Sequence, residues 1–167
     1  MGFNMKEHTA TIFNEGKDTW STSTLGTIGL AVKNAMLIPE KTANKYMFID
    51  SFTVSQSQVL ASLEKVNGEK WEAIHVDAEE QKKIGLEKMA KGDFSGAMSL
   101  IRYVNCVHGH GGNFAEYEES ANRLLSLPEQ SLDEAVTELT KEWAESRSWG
   151  ILLNFFELQP CSELCDT

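Results

Sequence analysis

The sequence predicts an α/β fold: a small mixed sheet laid down in the order β-α-β-α-β, then a region of helices only. Two observations carry that expectation. Strand-type runs at residues 9–13, 46–49 and 70–76 alternate with helical patterns at 21–37 and from Val59 to Val66. Beyond Asp77 only helical periodicity remains.

The elements follow in order. Residues 9–13 alternate polar and apolar side chains, and Asn14, Glu15 and Gly16 close the strand as a turn. The stretch 21–37 places Leu25, Ile28, Gly29, Val32, Ala35 and Met36 on one face, the face expected to be buried. Ser21, Thr22 and Ser23 supply N-cap candidates, and Pro39 marks the far side of the helix end. Thr53 and Gln56 have capping-box spacing ahead of Val59, Leu60, Leu63 and Val66, and Asn67-Gly68 is a helix terminator. Asp77 and Glu80 cap a very polar helix that closes at Lys91-Gly92. Phe94, Ala97, Met98, Ile101 and Val104 trace an apolar stripe on the next one. Asn113 and Glu116 open a segment carrying Ala121, Leu124 and Leu125. Ser131 and Glu134 cap the last helix, with Leu132, Ala135, Val136, Leu139 and Trp143 on its inner face.

Composition narrows the function classes. With 167 residues, 41% hydrophobic and 24% charged, the chain has the make-up of one globular domain with a real core. A net charge of −10 argues against nucleic acid and against an anionic membrane surface, because an acidic surface repels both. The N-terminus lacks the basic flank and apolar run of a secretory signal. The longest apolar stretch, 149–156, is far short of the roughly 20 residues of a membrane helix. Three cysteines, an odd count, suit a reducing compartment, so the cytoplasm is the expected location.

Little of the sequence carries chemistry by itself. It holds no G-x-G-x-x-G, P-loop or G-x-S-x-G pattern. The richest local feature is the run His108-Gly109-His110-Gly111-Gly112-Asn113. It lacks the third ligand a zinc site requires, and reads equally as a binding loop beside a pocket or as a plain connection between helices. Cys161 and Cys165 have the wrong spacing for a thioredoxin-like motif, and Cys106 falls on an apolar helix as a core residue. His75, at a strand end, reads as structural.

Several stretches in this order resemble the NmrA-like (isoflavone-reductase-like) family, an atypical branch of the short-chain dehydrogenases. They are the runs 9–16 (TATIFNEG), 20–32 (WSTSTLGTIGLAV), 44–56 (NKYMFIDSFTVSQ), 63–71 (LEKVNGEKW), 91–97 (KGDFSGA) and 112–114 (GNF). The resemblance covers about residues 2–141. It implies a partial Rossmann-like unit over 1–76, a helical substrate lid over 77–145 and a divergent tail over 146–167. It also implies NADP as cofactor, with the phosphate-binding turn and the catalytic lysine upstream of this chain. No catalytic or cofactor-binding residue is therefore assigned here, and no metal. Phe94, Tyr103, His108, His110 and Phe114 become the expected substrate-lining positions, because they sit on or beside the lid's glycine-rich loop. The tyrosine–lysine spacing of typical short-chain dehydrogenases is absent: Val107, Ala121 and Asp50 stand four residues after Tyr103, Tyr117 and Tyr46.

Three functions stay open on these grounds. One is reduction of a small aromatic or polyketide-like metabolite in fungal secondary metabolism, together with a homo-oligomeric partner or a complementing Rossmann subunit. The others are a non-catalytic dinucleotide-sensing regulatory module and an inactive remnant that exposes the surface a missing half would cover.

Overall fold

Strand β2 (Thr9–Phe13) forms where the alternating pattern meets the core, with Ala10, Ile12 and Phe13 buried. In this computed structural model, which describes residues 1–148 (side chains to 144), β2 is the centre of a three-stranded mixed sheet. It pairs antiparallel with β1 (Phe3–Asn4) and parallel with β5 (Glu72–Val76), Thr9 opposite Glu72 and Phe13 opposite Val76. The connection from β2 to β5 runs through β3 (Thr19–Thr22), α1 (Leu25–Leu37), the short α2 (Pro39–Thr42), β4 (Phe52–Ser55) and α3 (Gln56–Asn67). Strands β3 and β4 make a separate antiparallel pair, Trp20 opposite Val54. After β5 come α4 (Ala78–Ala90), α5 (Gly96–Cys106), a 3-10 turn at Phe114–Glu116 and α6 (Leu132–Ser148). The fold is mixed α/β with a small mixed sheet and a helical second half, consistent with a partial Rossmann-like arrangement.

Two apolar clusters hold the first and second halves together. Phe13, Trp20 and Val54 pack with Ala78, Tyr103 and Cys106; Ala10, Ile12, Leu63 and Trp71 pack with Val136 of α6. Between β2 and α3 the buried Gln56 replaces a missing strand partner. Its Oε1 accepts from the Phe13 amide at 2.8 Å, and its Nε2 donates to the Thr11 carbonyl at 2.9 Å. Both β2 groups are thus satisfied away from water. Gly68 caps α3 in the left-handed conformation at φ 70°, as the Asn-Gly signal requires.

Several expectations need correction. Residues 46–49 form no strand; the strand lies at Phe52–Ser55. The capping box is consequently shifted by two residues, to Ser55 and Gln58. Helix α1 begins at Leu25 with Thr24 as its N-cap, because Ser21 and Thr22 are taken up by β3 pairing. Its buried residues are Thr27 and Ala31, while Leu25, Ile28, Val32 and Met36, expected inside, point outward. On α5 the buried residues are Gly96, Tyr103 and Cys106; Ile101 and Val104 are nearly half exposed. Ala121, Leu124 and Leu125 lie on a run of turns rather than a helix, though Leu125 is buried. The 149–156 run, Cys161 and Cys165 lie outside the described residues. Among the described residues, no helix is long and apolar enough to cross a membrane.

Candidate functional site

The helix pair α4–α5 brings the site together. Gly85 and Gly96 sit where the two helices cross, and a Cβ on Gly96 would run into the Gly85 carbonyl. Only glycines permit this approach, which lays the first turns of α4 over Tyr103. Tyr103 is 4% exposed. Its hydroxyl donates to Glu79 Oε1, accepts from Lys82 Nζ at 3.3 Å and lies 3.0 Å from His110 Nε2. The Lys82 ammonium also stands 4.5 Å from the centre of the tyrosine ring, and the His110 ring packs on it at 4.7 Å.

The charges of this cluster are fixed by the same contacts. The Tyr103 hydrogen bond, then Lys82 and His110, hold the Glu79 carboxyl below its ordinary range. The Tyr103 hydroxyl, then Glu79, push the Lys82 ammonium up. Near neutral pH both are therefore ionised. Because the hydroxyl gives its one proton to Glu79, His110 must donate from Nε2. That leaves His110 Nδ1, on an exposed residue, to accept a proton or, once protonated, to donate one.

The glycine-rich loop is a wrapped connection pinned at several points. Gly109 and Gly111 have φ of 83° and 86°, and a side chain on Gly112 would lie 2.6 Å from the Asn105 carbonyl. The Gly112 carbonyl accepts from the Ser21 amide at 2.9 Å, and Asn113 Nδ2 donates to Thr19 Oγ1 at 3.0 Å. The loop is thereby stitched to β3, which carries His110 over Tyr103.

Of the five sequence-derived positions, the structure brings Tyr103 and His110 into contact. His108 turns away; its amide donates to Asp18 Oδ2 and its Nδ1 lies 3.6 Å from Glu116. Phe114 packs against Phe48 with ring centres 5.5 Å apart. Phe94 stands 77% exposed on the α4–α5 connection. Sequence reasoning missed Glu79 and Lys82, which read as part of a solvated polar face. The available signal was their i,i+3 spacing on the helix that also carries Gly85, a residue costly in a helix unless a close crossing needs it. The lysine that sequence spacing denied to Tyr103 arrives from a different helix.

Cys106, beside this cluster in the core, is 2% exposed, and burial pushes its thiol up to about 11. His75 Nδ1 lies 2.7 Å from the Asn14 carbonyl. Among the described residues no group of three or more His, Cys, Asp or Glu side chains is placed to hold a metal ion. A surface hollow of about 540 Å³ lies between Ser51 and Gln130 and is lined by none of the five positions.

A dinucleotide pyrophosphate needs open N–H groups at a helix N-terminus. The β5–α4 junction offers the opposite: Asp77 accepts from the Glu80 amide at 2.8 Å, and Glu79 and Glu80 fill the first turn. The ends of α3 and α1 are closed by the Ser55–Gln58 capping box and by Thr24. The N-termini of α1, α3 and α4 thus offer a pyrophosphate no open cradle of N–H groups.

No family model matches the chain. It is 50% identical over 141 residues to the protein named oxidoreductase aprR of Aspergillus flavus, a match spanning 84% of this chain and 48% of that protein. It is 25% identical over 141 residues to oxidoreductase poxI of Penicillium oxalicum, spanning 83% of this chain and 45% of that one. The chain is thus similar over most of its length to fungal proteins named oxidoreductases, and spans about half the length of each.

Proposed function

We propose that this chain is the substrate-side part of an NmrA-like, NADP-dependent oxidoreductase. Its substrate is a small aromatic or polyketide-like metabolite of a cytoplasmic fungal secondary pathway. The observation that carries the reading is the 50% identity to oxidoreductase aprR across most of the chain. Since the N-termini of α1, α3 and α4 are closed by side-chain caps, the reading assigns NADP to a complementing Rossmann unit. Residues 1–76 then supply the last elements of the α/β layer, and 77–145 cover the substrate.

The substrate side has one group suited to acid–base work. His110 is exposed, rests on Tyr103 and has an open Nδ1, so it can hold a proton for a substrate oxygen. Tyr103 and the ionised Glu79 behind it fix the orientation of the imidazole. Lys82 keeps the tyrosine hydroxyl in place. The supplied hydride is the dinucleotide's chemistry, and none of these residues takes part in it.

A chimera tests this: oxidoreductase aprR with its matched segment replaced by this chain, assayed by NADPH consumption on an enone or quinone that aprR itself reduces. The reading expects turnover, and expects His110→Gln to lower kcat about tenfold or more with less change in KM. A folded chimera that binds NADPH and reduces nothing contradicts it.

A further inference from the structure

The hollow between Ser51 and Gln130 is walled by side chains of opposite charge that do not neutralise one another. Asp50, Arg123 and Glu129 line it, with Leu127 and Pro128 as an apolar wall, and its volume of about 540 Å³ suits a small molecule. Asp50 belongs to the frame. Its Oδ1 accepts from Ser120 Oγ at 3.1 Å and Asn122 Nδ2 at 3.3 Å, and its Oδ2 from Thr53 Oγ1 at 3.4 Å. Asn122 also clamps the Asp50 backbone, accepting from its amide at 3.2 Å and donating to its carbonyl at 2.7 Å.

Gln130 is held from behind. Ser51 Oγ donates to Thr27 Oγ1 at 2.7 Å, and Thr27, itself buried, donates to Gln130 Oε1 at 3.2 Å. Thr24 Oγ1 reaches the same oxygen at 3.4 Å. These hydroxyls take up the amide oxygen and leave the Gln130 NH2 as the open end of a residue that lines the hollow. Among the described residues this NH2 donates to nothing, and the Arg123 guanidinium and the Glu129 carboxylate have no partner, not even each other.

The open groups select the charge of a ligand. A simple anion would meet Arg123 but be opposed by Glu129 and Asp50; a simple cation would be opposed by Arg123. A molecule carrying both charges satisfies both sides, and adds no net charge to a chain already at −10. We propose that this hollow binds a free α-amino acid with an apolar side chain. Its carboxylate is taken by the Arg123 guanidinium and the Gln130 NH2, and its ammonium by the Glu129 carboxylate. Its side chain lies on Leu127 and Pro128. The site is lined by none of the residues around Tyr103 and His110, and the inference does not depend on the redox reading.

The test titrates the full chain, isotope-labelled in nitrogen, with L-leucine. The NMR signals of the Gln130 side-chain NH2 and the Arg123 Nε–H report the site directly. The expected result is saturable movement of both, with a midpoint of about 1 mM or below. L-Leucinol, which lacks the carboxylate, and N-acetyl-L-leucine, which lacks the ammonium, should each bind about tenfold more weakly or worse. Arg123→Gln should remove the preference for leucine over leucinol, and Glu129→Gln the preference over N-acetyl-leucine. Neither substitution takes a side-chain hydrogen bond from the described residues, so both variants should keep the backbone spectrum of the parent chain. Absence of saturation up to about 10 mM would overturn the proposal. Equal binding of leucine and either analogue to the unsubstituted chain would overturn it as well, by removing the need for both charges. So would a preference for leucine that survives both substitutions.

Discussion

The two sides of the molecule treat their helices in opposite ways. On the α4–α5 side a helix that looks very polar in sequence is drawn against its neighbour, and Glu79 and Lys82 end in one network around a buried tyrosine. On the α1 side an apolar stripe faces outward, beside residues 46–49, whose amides donate to no described residue. An apolar stripe says that a face is made to be covered, not that this chain covers it. A polar stripe likewise says nothing about solvent until the neighbouring helix is known.

Substitutions at two helical glycines separate the regions most strongly. Gly96→Val should destabilise the chain by about 3 kcal/mol in urea unfolding, since the added atoms meet the Gly85 backbone at the crossing. Gly29→Ala, on the open face, should instead stabilise the isolated chain by about 0.5–1 kcal/mol. Equal effects at the two positions would erase the contrast.

Tyr103→Phe should cost about 1 kcal/mol, because one hydroxyl leaves a largely hydrated set of partners. It should also change the acid limb of stability. Glu79 is depressed in the fold, chiefly by Tyr103, so its contribution is present above the ordinary carboxylate range and lost as pH falls through its folded value. Removing the hydroxyl should flatten thermal stability against pH below about 4.5. Glu64 and Asp133 are also depressed, by Lys70 and Lys65 first, so part of the acid limb should survive. An unchanged profile would detach Glu79 from the tyrosine.

Cys106 gives a kinetic readout of the closed side. With its thiol raised to about 11, alkylation by iodoacetamide at pH 8 should be slow, and should accelerate on unfolding or as pH approaches that value. Peptide mass spectrometry isolates this cysteine from Cys161 and Cys165. Rapid native labelling would show that the core beside Tyr103 opens readily. The smallest effect belongs to Ile28→Glu, expected to move the isolated chain's stability by less than about 0.5 kcal/mol.

What the sequence made legible follows from which interactions are local. The 9–13 strand, the Gly68 terminator, the Asp77 cap and the polar helix it opens depend on near neighbours, and all are present. The strand at 46–49 failed because strand character is realised only by pairing, and no described residue pairs with it. Thr53 and Val54 pair with Ser21 and Trp20 instead, an interaction between residues some thirty apart that no window reads. The Tyr103–His110 contact was half legible, since both positions were marked from the loop. Glu79 and Lys82 were not, because a glycine-mediated helix crossing delivers them.

We propose, as above, that the dinucleotide is held by a complementing unit and not by this chain. An NADPH titration followed by tryptophan fluorescence, on the purified chain and on the chain with its aprR complement, addresses it most directly. The account predicts no saturable binding by the chain alone and saturable binding by the pair. Saturable micromolar binding by the isolated, monodisperse chain would contradict it, because the N-termini of α1, α3 and α4 are closed by side-chain caps.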